Sequence, residues 1–409
     1  MANLMQGRWH LGRFIYAGQI SKIEGGGSSA TPLLPNTYSI MCYDKDGLKT
    51  AEFSSMVADN PVSSIRFELI STGCGSFEIV FSELPTKAEL NYGQRVDIHL
   101  FNDSRPWYSG YVVDRPAVGT TETTFRFSGF GYFDLLGRVL VTGDYPDMDV
   151  ADIVRAIGVQ VEEKIGIRIN SSEVVRTGYT VTRIVFDGVT AKAALEQLAE
   201  FAAGYVTGVD ELRRLYFKPV SGLVNEQARF WVGHHVTEFI PSEDVSDLVN
   251  YARVKGGKLN DDGTNWLATV EDPVSQSVYG IRQAVWTLPS AFSEEDAQRW
   301  GLEELNRTKD PKRSATVKGI SLEYPNSDGS FGVRKLTTWG RAAIYPKDGS
   351  APHYYPIKEV RYSVSASKGI SCEGKLGEVQ KSESEWISDI ERKAKENELM
   401  QSFSNQQLI

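Results

Sequence analysis

His234 and His235 are adjacent in a chain with five histidines, and imidazole is the commonest side-chain ligand for a metal ion. Neighbouring residues of a strand point to opposite faces, so a single metal is a poor match for both, and a structural role is expected. Asp44-Lys45-Asp46-Gly47 and Asp261-Asp262-Gly263 have the composition of calcium loops. Neither carries the ligand series that ends in Glu, so both are read as hairpin turns. Asp144, Asp147 and Asp149 precede a helical pattern, where a cation site competes with capping, and carboxylates at the positive end of a helix dipole favour capping. Cys74 with His99 is a conceivable nucleophile–base pair, but no nucleophile elbow or family-type cysteine context surrounds either. No Walker-type phosphate loop is present. Paired carboxylates for glycoside cleavage stay open, because Asp and Glu abound and their separation is not legible in sequence. Trp107-Tyr108 and Tyr354-Tyr355 have the chemistry to stack on sugars, although in half-buried strands such residues more commonly pair across the sheet. The expectation is a non-enzyme with no catalytic residue, no cofactor, no cofactor-binding residue and no metal ligand.

The composition is that of an ordinary folded protein. Hydrophobic residues are 41% of 409 and charged residues 24%, enough for ordinary folded cores. The net charge of −9 argues against tight, sequence-reading nucleic-acid binding, which leans on a basic face. It does not exclude a surface past which nucleic acid slides. Cys42, Cys74 and Cys372 are odd in number and widely spaced, so they are read as buried thiols of a protein folded in a reducing cytoplasm. No apolar run approaches the ~20 residues that cross a bilayer, and no secretory leader is evident, so no membrane anchor is expected.

The elements are legible from periodicity. Residues 1–38 are read as an N-terminal arm containing the linker-like GGGSSATPLLPN. From 39 to 142, Ile65, Phe67 and Leu69, then Phe77, Ile79 and Phe81, then Val96, Ile98 and Leu100 alternate with polar neighbours, the period of a half-buried strand. Residues 143–229 are read as a small α+β domain. Val150, Ile153, Val154, Ile157 and Val161 form a helical stripe behind the N-cap Asp149, and a second helix runs from Thr190 to about Ala203 with Gly204 at its end. From 230 to 380 the chain is read as β again, with Ile320, Leu322 and Tyr324 alternating and a helical insertion near 293–308. In that insertion Ser293 begins a capping box and Ala297, Trp300 and Leu305 form the buried face. Residues 381–409 are polar, with Asp389/Lys393 and Glu391/Lys395 helix pairs, and are read as a C-terminal helix.

One hairpin is written twice. YGQRVDIHLFNDSRPWYSGYVVD, from Tyr92, and WGRAAIYPKDGSAPHYYPIKEV, from Trp339, each run aromatic-Gly, apolar strand, turn, Pro and aromatic return strand. Pro106 lies 14 residues after Tyr92, and Pro352 lies 13 after Trp339. Upstream, Gly75-Ser76-Phe77 is echoed by Gly329-Ser330-Phe331, and downstream FRFSGFG by ISCEGKLG. Antiparallel hairpins draw on a small menu of residues, which is one explanation. The sharper one is a single antiparallel β-barrel duplicated within the chain, with the α+β domain between the copies. Three such chains closed as a ring would present six similar barrels.

The order of these parts, with IVFDGVTAKAALEQLAEFAAGYVTGVDELRRLYFKP over 184–219 and LVNYARVKGG over 248–257, resembles the baseplate hub proteins of bacteriophage tails and related contractile injection systems. The resemblance covers roughly residues 39–380. It implies an α+β, mainly β fold with two tail-tube-like barrels and a homotrimeric hub that adapts a sixfold tail tube to a threefold spike. It also implies a channel for DNA, and as partners a tail tube or distal tail protein, a spike or tip protein and a tape-measure protein. The implied location is the virion tail tip, after assembly in the host cytoplasm. Only ~30 residues follow the second barrel, too few for an added enzyme domain. Three chains at −9 each carry −27, which suits a lumen that DNA passes without binding. The readings in competition are a cell-wall glycan-binding or glycan-cleaving tail protein, and the hub of a phage-derived secretion or bacteriocin machine.

Overall fold

The computed structural model describes residues 33–117, 123–202, 204–219, 226–259, 265–288, 294–325, 331–338, 340–365 and 369–377. The arm up to residue 32, the Asp261-Asp262-Gly263 turn, Ser293 of the capping box and the expected C-terminal helix lie outside these residues.

The first β module is made of β1 (Tyr38–Tyr43), β2 (Lys49–Ser54), β3 (Val62–Ile70), β4 (Gly73–Phe81), β5 (Arg95–Leu100), β6 (Tyr108–Asp114) and β7 (Phe125–Gly131). Their order in the sheet is β3-β4-β7-β6-β5-β1-β2. The alternation does what its period demands: Ile65, Phe67, Leu69, Phe77, Ile79 and Phe81 are all buried, and Phe53 of β2 meets Phe81 edge-on at 5.0 Å across the core. The sheet therefore curls over its own core, but β2 and β3 do not pair among the described residues, so the pairings do not include the barrel closure that was expected.

A short helix α1 (Tyr132–Leu135) leads into the α+β unit. This unit holds β8 (Leu140–Asp149), α2 (Val150–Ile165), β9 (Arg168–Val174), β10 (Thr180–Thr190), α3 (Ala191–Phe201), β11 (Tyr205–Val209) and β12 (Arg214–Pro219). The stripe Val150, Ile153, Val154, Ile157 and Val161 is wholly buried, and it packs with α3 into a core of its own. Asp149 caps α2 through Ala151 N–H at 2.8 Å, and Gly166 ends it with φ 67, a conformation glycine adopts without strain. Thr190 caps α3 in the same way, through Ala193 N–H.

The second β module contains β13 (Glu226–Trp231) and β14 (Glu238–Asp244), and then the chain leaves it. The excursion is larger than a lone helix. It comprises β15 (Tyr251–Leu259), β16 (Asn265–Glu271), α4 (Pro273–Tyr279), β17 (Gln283–Leu288) and α5 (Glu294–Thr308). The three strands form one sheet in the order β16-β15-β17, and Ala297 and Leu305 of α5 are buried with Val254 and Val270 of that sheet. The module resumes with β18 (Lys312–Lys318), β19 (Glu323–Pro325), β20 (Phe331–Val333), β21 (Arg341–Tyr345), β22 (His353–Ser365) and β23 (Gly369–Gly377). Ile320 and Leu322 are buried as expected but precede β19 in irregular backbone.

The two modules share register residue by residue. Arg95 faces Tyr111 as Arg341 faces Pro356, and Ile98 faces Tyr108 as Ile344 faces His353. Phe77 faces Gly129 as Ala315 faces Leu376, and Ile65 faces Ile79 as Phe239 faces Val317. A register irregularity falls at the same place in both, between Val112 and Asp114 and between Ile357 and Glu359. Coincident bulges are hard to obtain by convergence of turn composition, because a bulge is a specific insertion in one ladder. Two differences stand. The outer strand β13 runs parallel to β21, whereas β1 is antiparallel to β5. Phe331 lies in the separate β19–β20 ribbon while β18 holds the place of β4, so Phe331 is not the counterpart of Phe77; Gly329 and Ser330 lie outside the described residues.

Candidate assembly interface

The two modules are joined edge to edge. β22 pairs antiparallel with β3, from Val360 opposite Leu69 to Ser365 opposite Ser64, so the strand order continues β14-β18-β23-β22-β3-β4-β7 without a break. At the centre of the joint Tyr362 is fully buried. Its ring stacks on Phe67 at 5.0 Å and meets Trp107 edge-on at 5.3 Å. Its hydroxyl donates to Leu336 O at 2.8 Å and accepts from Leu336 N–H at 2.9 Å. One side chain thus satisfies both backbone groups of a neighbouring loop while filling the seam between modules. At the rim Arg361 reaches Glu68 at 3.3 Å.

By the shared register β14 is the counterpart of β3, yet its outer edge has no strand partner among the described residues. Ile240 on this strand is nearly half exposed. An unpaired edge is a template for another chain. Pro241 withholds one N–H from it, so a joint made here has fewer backbone bonds than the one inside the chain.

Lys335 ties three parts together. Its ammonium contacts Glu211 of the β11–β12 turn at 2.6 Å and the Pro106 carbonyl of the first module at 3.3 Å, and it lies over the Trp107 ring. Burial pushes the Glu211 carboxyl upward, but Lys335, with a backbone N–H and Arg214 behind it, outweighs it and the net shift is down. A lowered carboxylate adds stability that is present above its unfolded pKa and is lost as pH falls through the folded value. Glu211→Gln is expected to lower unfolding free energy at pH 7 by about 2 kcal/mol, the scale of a charged hydrogen bond. The difference from the wild type should shrink as pH falls below the ordinary carboxylate range and through the lowered value of the folded state. Urea denaturation of both proteins at pH 7 and through a descending acid series checks this. A deficit that persists in acid would point to shape, not charge.

A third feature was missed by sequence reading. Arg95 lies over Tyr43 at 3.7 Å, Arg213 over Tyr132 at 5.9 Å and Arg138 over Tyr111 at 5.7 Å. Tyr111 and Tyr132 are themselves 6.3 Å apart. Arg213 sits in left-handed backbone at φ 63, where a non-glycine residue costs about 1–2 kcal/mol. A glycine-like turn position occupied by arginine was the available signal, but the turn geometry was needed to see it.

The residues singled out for chemistry are dispersed. His234 and His235 lie in a turn, not a strand, so their rings do not diverge but stand 4.4 Å apart. His235 Nδ1 accepts from Trp231 N–H at 3.3 Å, and burial, His234 and Arg334 lower its pKa. Among the described residues no three His, Cys, Asp or Glu converge as a metal site. Cys74 is buried, its Sγ accepts from Ser109 N–H, and burial holds it as a thiol. His99 is occupied elsewhere, with Nδ1 at 3.0 Å from Asp103 O. Cys372 is also a buried thiol, and Cys42 is pushed up to about 12 by burial, Asp97 and Glu89. Asp144 pairs with Arg183 across the β8–β10 ribbon, whereas Asp149 caps α2 and also binds Gly178 N–H at 2.9 Å. Asp44 accepts from the N–H groups of Asp46 and Leu48, which makes a hairpin turn. Trp107 and Tyr108 are core residues, and Tyr355 is buried while Tyr354 is exposed beside Arg341.

No family model and no curated protein matches this sequence. Solved structures do. A tail protein from Neisseria meningitidis MC58 superimposes with a TM-score of 0.60 at 12% identity, over 83% of this chain and 96% of that one. The 43 kDa tail protein of prophage MuSo2 from Shewanella oneidensis gives 0.58 at 16%, over 83% and 97%. Prophage tail protein gp18 from Listeria monocytogenes EGD-e gives 0.55 at 13%, over 87% and 98%. Likeness at such low identity is a statement about architecture: this chain has the fold of prophage tail proteins.

Proposed function

We propose that this protein is a structural component of a phage-type tail, a homotrimeric hub at the tail tip that matches a sixfold tube to a threefold spike and leaves a channel for DNA. The observation that carries this reading is the β22–β3 joint between two modules of equal register. A chain that already joins its second module to its first needs only to repeat that joint between copies to close a ring. The open edge of β14, counterpart of β3, then receives the segment that follows β6, the counterpart of residues 360–365 of β22, from the next copy. In this reading the protein is not an enzyme. Its partners are further copies of itself, a tail tube or distal tail protein, a spike or tip protein and a tape-measure protein. It resides at the tail tip of the virion after assembly in the host cytoplasm. The likeness to prophage tail proteins supports the reading at the level of fold.

The test is the mass in solution. Three chains of 45.4 kDa give about 136 kDa, to be measured by light scattering at micromolar concentration. A replacement of Ile240 by Lys on the β14 edge should shift the population toward 45.4 kDa without loss of folded signal. A wild-type protein that stays monomeric up to about 100 μM, well above ordinary assembly affinities, would overturn the reading.

A further inference from the structure

The helix α4 is built inside out. A surface helix ordinarily turns its apolar residues to the core. Of the seven residues of α4 only Ser275 is buried, while Val274 is 74% exposed, Val278 is 66% exposed and Tyr279 is exposed as well. Hydrogen bonds hold it this way round. Asn250, wholly buried, donates from Nδ2 to Ser275 Oγ at 3.2 Å and to Gly280 O at 2.8 Å, and its Oδ1 accepts from Arg282 N–H at 2.8 Å. Ser275 Oγ donates to Lys309 O, Gln276 Nε2 donates to Asn250 O at 3.1 Å, and Lys309 Nζ reaches the N-cap Asp272 at 2.9 Å. The buried polar groups are paired, which fixes the helix with its apolar side outward.

The display continues onto the adjoining sheet. α5 covers one face of β16-β15-β17, where Val254 and Val270 are buried. Strand alternation puts Arg253, Lys255, Leu267 and Val285 on the other face, and all four are exposed. Arg253 stands opposite Val285, and Lys255 opposite Leu267. Ile281, in step with Val285, and its neighbour Arg282 are exposed too. Among the described residues Arg253, Lys255 and Arg282 have no carboxylate partner. The acids of this end are engaged, Asp272 by Lys309 and Glu271 by Gln276 Nε2 at 3.2 Å. An exposed apolar patch on a rigid frame marks an interaction site, and the cations around it set the charge of what it meets. Side chains two-thirds to three-quarters exposed stand proud of their surroundings as a ridge. Apolar tips on a ridge with cations beside them suit a fluid anionic phase that closes around the tips and presents phosphates to the cations.

We infer that α4, Ile281 and the open face of the β15–β17 sheet dock reversibly on an anionic lipid surface. The contact is interfacial, because seven helical residues are far short of the ~20 that cross a bilayer. It uses neither β14 nor β22 and does not depend on the ring.

Flotation of the full-length chain with phosphatidylcholine vesicles, with and without one third phosphatidylglycerol, tests this. Binding is expected to the mixed vesicles, and it should fall to background on phosphatidylcholine alone or at about 0.5 M salt. Arg253→Gln/Arg282→Gln should weaken partitioning about 30-fold, the scale of two surface cations. Val278→Ser/Ile281→Ser should weaken it at least tenfold while the salt dependence is kept. All four positions are exposed, so both variants should keep the wild-type circular dichroism and melting. Absence of binding to the anionic vesicles, or binding that neither variant weakens, would overturn the inference. So would variants that leave lipid binding intact and change the solution mass, because the face would then belong to another copy. A wild-type mass of one chain with lipid binding in place would overturn the ring and leave this inference standing.

Discussion

Tyr362→Ala is expected to lower the free energy of unfolding by about 4 kcal/mol or more. Truncating a buried aromatic costs about 3–5 kcal/mol through lost transfer energy and the cavity left behind. Here the cavity opens between Phe67 and Trp107, at the seam of two modules. The same change strands Leu336, whose N–H and carbonyl both use the tyrosine hydroxyl. Each orphaned group adds about 1–3 kcal/mol. Tyr362→Phe separates the two contributions: it keeps the stack and should cost only the hydrogen-bond share, about 1–3 kcal/mol. Equilibrium urea denaturation of the three proteins measures both. If Tyr362→Ala lost less than about 2 kcal/mol, the modules would not be cooperating through this joint.

Gly73→Ala is expected to be destabilising too. A Cβ on Gly73 would lie 1.8 Å from Val209 O, and the backbone there has φ +108. No rotamer can relieve a clash between backbone atoms, and no L-residue is comfortable at that φ. The contact is the place where β11 of the α+β unit touches β4, through Val209 N–H to Thr72 O at 2.9 Å, with Tyr216 OH on Ser71 O at 2.8 Å beside it. The expected loss is about 3 kcal/mol or more, with the α+β unit displaced from the first module. Hydrogen exchange should show new exposure at β11 and β12 and little change in β5 or β6. A uniform loss across all units, or none, would contradict this placement.

What the sequence showed and what it hid follow one physical division. Features set by local periodicity were legible: the strand alternation from Ile65 to Phe81, the α2 stripe with Asp149 before it, and the two copies of the hairpin. Each depends on residues within one or two turns of chain. The β22–β3 joint was not legible, because residues 360–365 and 64–69 are far apart in the chain and edge pairing has no side-chain signature. The excursion between β14 and β18 was reduced to its helix, since β15 to β17 read as strands like those of the module itself and α4 has only seven residues. The histidine pair was misplaced by treating a turn as a strand. The arginine–tyrosine seam draws on β1, β5, β6, α1 and the β11–β12 turn, so spacing in sequence carries no trace of it.

The central claim is that two copies of one module, already joined inside the chain, are joined again between chains. Electron micrographs of the purified protein viewed end-on test it most directly. The account predicts a closed ring with a central hole, six lobes of similar size around it, and strict threefold symmetry in which lobes alternate. A ring with any other number of lobes, or particles with two lobes and no hole, would contradict it.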